Sequence, residues 1–149
     1  WKEAEDWAQQ VIQREPTRML AVALVCSARL HAWENAPSAD LPPRTWLEES
    51  LSYCSAGSTA SHRAGYNATF FLAGLCRQAE AMAILRELRG SGLVGELSRN
   101  ALESVGQESL LENDSVVGLL LLQRTPVNEL TPGQRSISTA FWGQDCMTP

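Results

Sequence analysis

Residues 1–16 have the sequence WKEAEDWAQQVIQREP, which combines a regular apolar pattern with a proline at its end. Its apolar side chains recur every three or four positions, which is the spacing of one face of an α-helix. They are Ala4, Trp7, Ala8, Val11 and Ile12. Pro16 ends the helix, because a proline inside a helix removes a backbone hydrogen bond and clashes with the preceding turn. The stretch therefore predicts an amphipathic helix with one face packed against the rest of the chain.

The same periodicity predicts further helices downstream. Their ranges are roughly 19–33, 45–54, 61–75, 78–89 and 93–105. Thr45 and Glu48 have the spacing of a capping box at the start of one of them. Prolines in the stretch 35–43 interrupt the pattern. No segment alternates apolar and polar residues over the length of a strand, so the sequence predicts an all-α fold.

The C-terminal part of the sequence is less regular. Residues 115–124 are predicted to form a short buried helix, which Pro126 ends. A last helix is predicted from Thr131, because Pro132 suits the first helical position and Gln134 completes a capping box.

A chain of 149 residues has the ordinary size of a single domain. Helices of this length joined by short loops pack as antiparallel hairpins. We therefore expect hairpins over residues 1–106, with a Pro-rich insertion at 35–43. Residues 107–149 are expected to form helices that cap the same domain.

The first helix resembles the second helix of a tetratricopeptide repeat, which is a helix–turn–helix unit of about 34 residues. Trp1, Ala4, Ala8 and Pro16 stand at the aromatic, alanine, packing and proline positions of that helix. Weaker matches follow at residues 74–85, with a Glu-Ala pair at 80–81, and at residues 46–51. The resemblance implies a short solenoid of stacked hairpins, in which alanines let paired helices approach closely.

The resemblance also implies a non-enzymatic domain that binds another protein. A peptide or helix of the partner would lie in a concave groove between the first helices of the hairpins, here residues 19–33 and 61–75. The side chains expected to contact it are Arg29, Trp33, Trp46, His62, Arg63 and Asn67. Two settings fit, namely a regulatory domain of a larger signalling protein and an acidic chaperone for a secreted cargo.

Residues 1–15 match the second helix of a hairpin whose first helix is missing from the sequence. We therefore expect the chain to be a piece of a larger protein. Without the first helix, an apolar groove would stay open beside residues 1–15, and a second copy of the chain is one candidate to cover it.

The charge of the chain excludes some partners. The net charge is −5, from 12 basic and 17 acidic residues, and the basic residues are scattered along the sequence. Nucleic acid and anionic membranes require a concentrated positive surface, so neither is an expected partner. The longest apolar run, residues 116–122, is far shorter than the roughly 20 residues of a membrane span.

The four cysteines are too widely spaced for a zinc site of clustered ligands, and no metal or cofactor is expected. Cys26 and Cys76 lie within apolar helical patterns, where a free thiol acts as a small hydrophobic group. We therefore expect reduced thiols in a cytoplasmic protein, with disulfides as the alternative. A rival hypothesis is an all-helical enzyme or small-ligand pocket built on Cys54, His62 and Tyr66.

Overall fold

The computed structural model describes residues 1–38, 40–81, 83–84, 127–141 and 146. Its helices are α1 (Lys2–Arg14), α2 (Met19–Glu34), α3 (Arg44–Gly57), α4 (His62–Gly74) and, after a 3-10 turn at Val127–Glu129, α5 (Pro132–Phe141). Residues 78–81 and 83–84 are helical as well, and these described ranges contain no strand. The prediction of an all-α fold is confirmed to this extent. The helices predicted at 93–105 and 115–124, and the rest of 85–126, lie outside the described residues.

The two predicted capping boxes have different outcomes. At α5 the box is present, because the backbone N–H of Gln134 donates to Thr131 Oγ1 over 3.1 Å and that of Thr131 donates to Gln134 Oε1 over 2.9 Å. At α3 the prediction is wrong, since the helix begins at Arg44 with Pro43 as its N-cap and no side-chain cap. Thr45 is therefore inside the first turn, two positions after the N-cap and too late to cap the helix.

Helices α1 and α2 form an antiparallel hairpin. The turn between them follows Glu15, whose carbonyl accepts a hydrogen bond from the backbone N–H of Arg18 over 3.0 Å. Between the helices, Ala8 packs into one buried cluster with Ala21 and Val25. Small side chains on both helices allow the backbones to approach closely, and larger ones would hold them apart.

Helix α3 is fixed against α2 by a disulfide and by a glycine. Cys26 and Cys54 are bonded, with 4.9 Å between their Cα atoms. Near the end of α3, a Cβ on Gly57 would lie 2.7 Å from the Cα atom of Ala23, closer than real side chains approach. The glycine is required there because the two backbones almost touch.

Helix α4 lies at the centre of the domain. Every residue from 64 to 73 is buried, so the helix has no solvent-facing stripe and must be covered on all sides. It packs against α2, α3 and α5. The main buried cluster accordingly joins Trp33 of α2, Leu47 of α3, Phe71 of α4 and Ile137 of α5.

In the described part of the chain, no helix is both long enough and apolar enough to cross a lipid bilayer.

Candidate functional site

The C-terminal helix α5 covers the region where the sequence predicted an open groove. It packs against both α2 and α4, the helices expected to line that groove. Among its residues 132–140, the buried ones are Gly133, Ser136, Ile137 and Ala140. Gly133 lies so close to α2 that a Cβ there would overlap the carbonyl oxygen of Trp33. Helix α5 therefore occupies part of the region that was expected to be open, and whether a partner binds between α2 and α4 stays a prediction.

Arg29 joins three helices instead of facing a partner. The residue is buried, with 9% of its surface exposed. The guanidinium donates from Nε to Glu5 of α1 over 3.1 Å and from Nη2 to Glu49 of α3 over 3.0 Å. It also lies over the rings of Trp46 and Tyr53, at 5.5 and 5.1 Å from their centres. The expectation that Arg29 is an exposed contact is wrong, because two carboxylates and two aromatic rings hold it inside.

Trp33 and Asn67 are also interior residues. The Trp33 indole N–H donates to Ser136 Oγ over 3.1 Å, and its ring stacks on Phe71 with 5.6 Å between centres. Asn67 is fully buried and donates from Nδ2 to Ser27 Oγ over 3.3 Å. Both were expected to reach a partner, but both side chains are buried inside the domain.

The remaining predicted contacts are nearer the surface. Trp46 is half-buried and meets Phe71 edge-on, with 5.9 Å between ring centres. His62 is exposed at the first position of α4, and Arg63 beside it is half-buried. The structure does not gather the six side chains into one exposed patch, since Arg29, Trp33 and Asn67 are buried. Whether His62, Arg63 or Trp46 touches a partner stays a prediction.

The expectation of reduced thiols is wrong. The cysteines form two disulfides, Cys26–Cys54 and Cys76–Cys146. Spacing along the sequence does not show which thiols the fold brings together. In this fold the bonded cysteines are 28 positions apart in the first pair and 70 positions apart in the second.

The disulfides also affect the rival hypothesis of a pocket built on Cys54, His62 and Tyr66. Cys54 is bonded and fully buried, so it offers no thiolate nucleophile. Tyr66 is fully buried, and its burial raises the pKa of its hydroxyl. Among the described residues, no group of three or more His, Cys, Asp and Glu side chains is placed to hold a metal ion.

The outer side of the α1–α2 hairpin carries large apolar side chains in contact with solvent. Trp7 of α1 is 57% exposed and Leu20 of α2 is 66% exposed. One turn further along each helix, Val11 and Leu24 are half-buried against the cluster that joins the two helices. We call these four side chains, Trp7, Val11, Leu20 and Leu24, the outer face. Exposed apolar surface next to a buried cluster is typical of interaction sites.

Trp1 is also exposed, at 51%, but it contacts a different residue, His31. Its ring lies 5.2 Å from that of His31, near the far end of α2. Partial burial, and then the positive charge of the N-terminal amine, lower the pKa of His31. Trp1 is therefore placed at the end of the hairpin and is not part of the outer face.

The sequence contained a signal for the exposure of Trp7. Successive residues in a helix point about 100° apart, so Trp7 and Ala8 cannot both face the centre of one interface. Ala8 is fully buried and matches the small packing position of the hairpin, which turns Trp7 toward the edge.

Comparisons with known proteins return no relative. No protein-family model matches the chain, and neither does any curated protein or any solved structure. The functional argument therefore rests on the surface and the packing described above.

Proposed function

We propose that this chain is a non-enzymatic protein-interaction domain of tetratricopeptide-like hairpins, and that it binds its partner through the outer face. The observation that carries the proposal is the exposure of Trp7 and Leu20 beside the half-buried Val11 and Leu24. Tryptophan is among the residues that contribute most to binding when a partner covers them.

The energy of covering this surface supports the proposal. Removing apolar area from water contributes about 25 cal/mol per Å². An aromatic side chain buries roughly 150–250 Å² when fully covered, and more than half of Trp7 is available. A partner that covers Trp7 and Leu20 together gains several kcal/mol by this estimate, although association costs offset part of it.

The helices that present the outer face are held in place before any partner arrives. Arg29 ties α1 to α3 through Glu5 and Glu49, and the Cys26–Cys54 disulfide ties α2 to α3. A surface that is already ordered loses little conformational entropy on binding. This rigidity supports recognition by a fixed helical surface.

The two disulfides support a setting outside the reducing cytosol. Disulfides persist in secreted, periplasmic and cell-surface proteins and are rare where glutathione keeps thiols reduced. We therefore propose that the domain works in an oxidising compartment, as the binding part of a larger regulatory protein or as a chaperone for an exported cargo.

Site-specific photo-crosslinking tests the proposed surface. A benzophenone side chain is introduced at Gln10, which is exposed one turn from Trp7, or at Ser55, which is exposed on α3 as the control position. We expect a discrete protein adduct from position 10 only, and its loss when Trp7→Asp is added. Equal adducts from both positions, or an adduct from position 10 that Trp7→Asp leaves unchanged, would contradict the proposal.

A further inference from the structure

Four residues form one stripe along α1. Glu3, Trp7, Gln10 and Arg14 are spaced by four, three and four positions, which places them on the same side of the helix. All four are exposed. In the described part of the chain, no side-chain hydrogen bond or ion pair involves Glu3, Gln10 or Arg14. We call this stripe the seam. It borders the outer face, because Trp7 belongs to both.

The ends of the seam carry opposite charges. Glu3 lies in the first turn of α1 and Arg14 in the last turn. This placement also complements the helix dipole, which favours acids at the N-terminus and bases at the C-terminus. The dipole accounts for the two charges, but it gives no reason for a tryptophan exposed between them on the same side.

An antiparallel copy of the seam complements it at every position. A twofold axis that crosses α1 between Ala8 and Gln9 sets Glu3 opposite Arg14 of the second copy, and Trp7 opposite Gln10 of the second copy. The reciprocal pairs form at the same time, because such an interface uses one patch twice. A parallel arrangement in the same register would instead set Glu3 against Glu3, and like charges repel.

We propose that Trp7 of the outer face is covered by a second copy of this chain, docked through an antiparallel α1–α1 contact along the seam. The inference rests on the proposed function, since it names the partner of that same surface. The two Trp7 side chains form the centre of the contact, and the Glu3–Arg14 pairs close its two ends. An apolar centre with a polar rim is the ordinary anatomy of a protein interface.

The seam also excludes a simple charged partner. Its one acid and one base cancel, so a uniformly basic or uniformly acidic surface gains attraction at one end and repulsion at the other. Only a partner with the reverse order of charges around an apolar centre fits both ends. A second copy of the chain in the antiparallel orientation has this reversed order of charges.

Sedimentation equilibrium of the purified chain over a wide concentration range provides the first test. We expect a monomer–dimer equilibrium, and Trp7→Asp should raise the dimer dissociation constant by at least about tenfold. Trp1→Asp is the matched control, because Trp1 is about equally exposed but lies off the seam. A chain that stays monomeric throughout, or equal effects of the two substitutions, would overturn the inference.

A charge-reversal exchange provides the second test. Glu3→Arg alone sets two arginines face to face at each end of the dimer, and Arg14→Glu alone sets two glutamates face to face. Each variant should therefore dimerise about three- to tenfold more weakly than the parent. A mixture of the two variants restores opposite charges in every pair, so it should form heterodimers as tight as the parent dimer.

The exchange separates interface effects from damage to the helix. Mixing cannot repair a weakened α1, so a mixture that associates no better than either variant alone overturns the antiparallel register. Glu48→Arg on α3, which is exposed, makes the same change of net charge away from the seam and should leave dimerisation unchanged.

The two proposals can fail separately. If the chain is monomeric but the photo-crosslinker at position 10 captures a different protein in a manner that depends on Trp7, the proposed function stands and the second copy is wrong. If the crosslinker captures nothing and the chain is monomeric, both proposals are wrong.

Discussion

At the scale of single residues, Arg29 shows how an ordinary helical position comes to organise the domain. The sequence places it on the second helix with nothing local to mark it. In the fold, three hydrogen bonds from its guanidinium reach Glu5 of α1 and Glu49 and Ser50 of α3, the helices on both sides of α2. These acids are 24 and 20 positions away along the sequence, so no local pattern could have paired them.

Replacing Arg29 should therefore destabilise the domain. In Arg29→Met the side chain keeps its apolar stem, but Glu5 loses its partner in a half-buried site and Ser50 loses a donor. We expect a loss of about 1–3 kcal/mol in the free energy of unfolding, below the cost of breaking a fully buried pair because Glu49 is exposed.

Urea denaturation measures this loss, and Arg44→Met is the matched control. Arg44 pairs with Glu48 over 3.0 Å on the surface, where an ion pair contributes about 0.5 kcal/mol or less. Similar losses in the two variants would show that Arg29 does not join the helices in the way its contacts indicate.

At the scale of helices, local sequence signals predict where the helices begin and end, but they do not predict how the helices pack. The starts and ends of α1, α2 and α4 follow from periodicity and from Pro16, because these features act within one or two turns. The capping box of α5 follows from residues three positions apart. No local signal predicts the position of α5 across α2 and α4. That position depends on contacts between residues about 100 positions apart in the sequence, such as Trp33 with Ser136.

Gly133 tests that packing directly. In most helices Gly→Ala is stabilising by up to about 1 kcal/mol, because alanine favours the helical backbone. Here we expect the opposite sign, since an added Cβ would overlap the Trp33 carbonyl oxygen and meet the backbone N of Ala36 at 2.8 Å. The free energy of unfolding should fall in Gly133→Ala, and the amides of α5 should exchange faster with deuterium.

Ser138→Gly on the same helix is the reverse control. Ser138 is half-buried and lies outside the buried stripe of α5, so its replacement should cost only the usual glycine penalty of about 0.5 kcal/mol relative to serine. A stabilising Gly133→Ala would mean that α5 does not lie against α2 as closely as described.

At the scale of the whole molecule, the two disulfides hold different parts of the fold with different access to solvent. Cys26–Cys54 joins α2 to α3 with both cysteines fully buried. Cys76–Cys146 joins the end of α4 to the chain beyond α5, and Cys76 is exposed. Thiol–disulfide exchange requires a thiolate to reach a sulfur atom, so access decides the order in which the two bonds are reduced.

A mild reductant should therefore open Cys76–Cys146 first and leave Cys26–Cys54 intact until the domain unfolds. Alkylation of the released thiols followed by peptide mass spectrometry identifies which pair has opened.

The loss of each disulfide should also affect the fold in a different way. Opening Cys76–Cys146 breaks a bond that involves none of α1, α2 and α3, so the helices that carry the outer face keep their order. Removing Cys26–Cys54 by paired alanine substitutions should instead cost about 3–4 kcal/mol of global stability, as expected for a loop of 28 residues. Reduction of both bonds at the same rate in the folded protein would contradict this order, because it would require the buried pair to be as accessible as the exposed one.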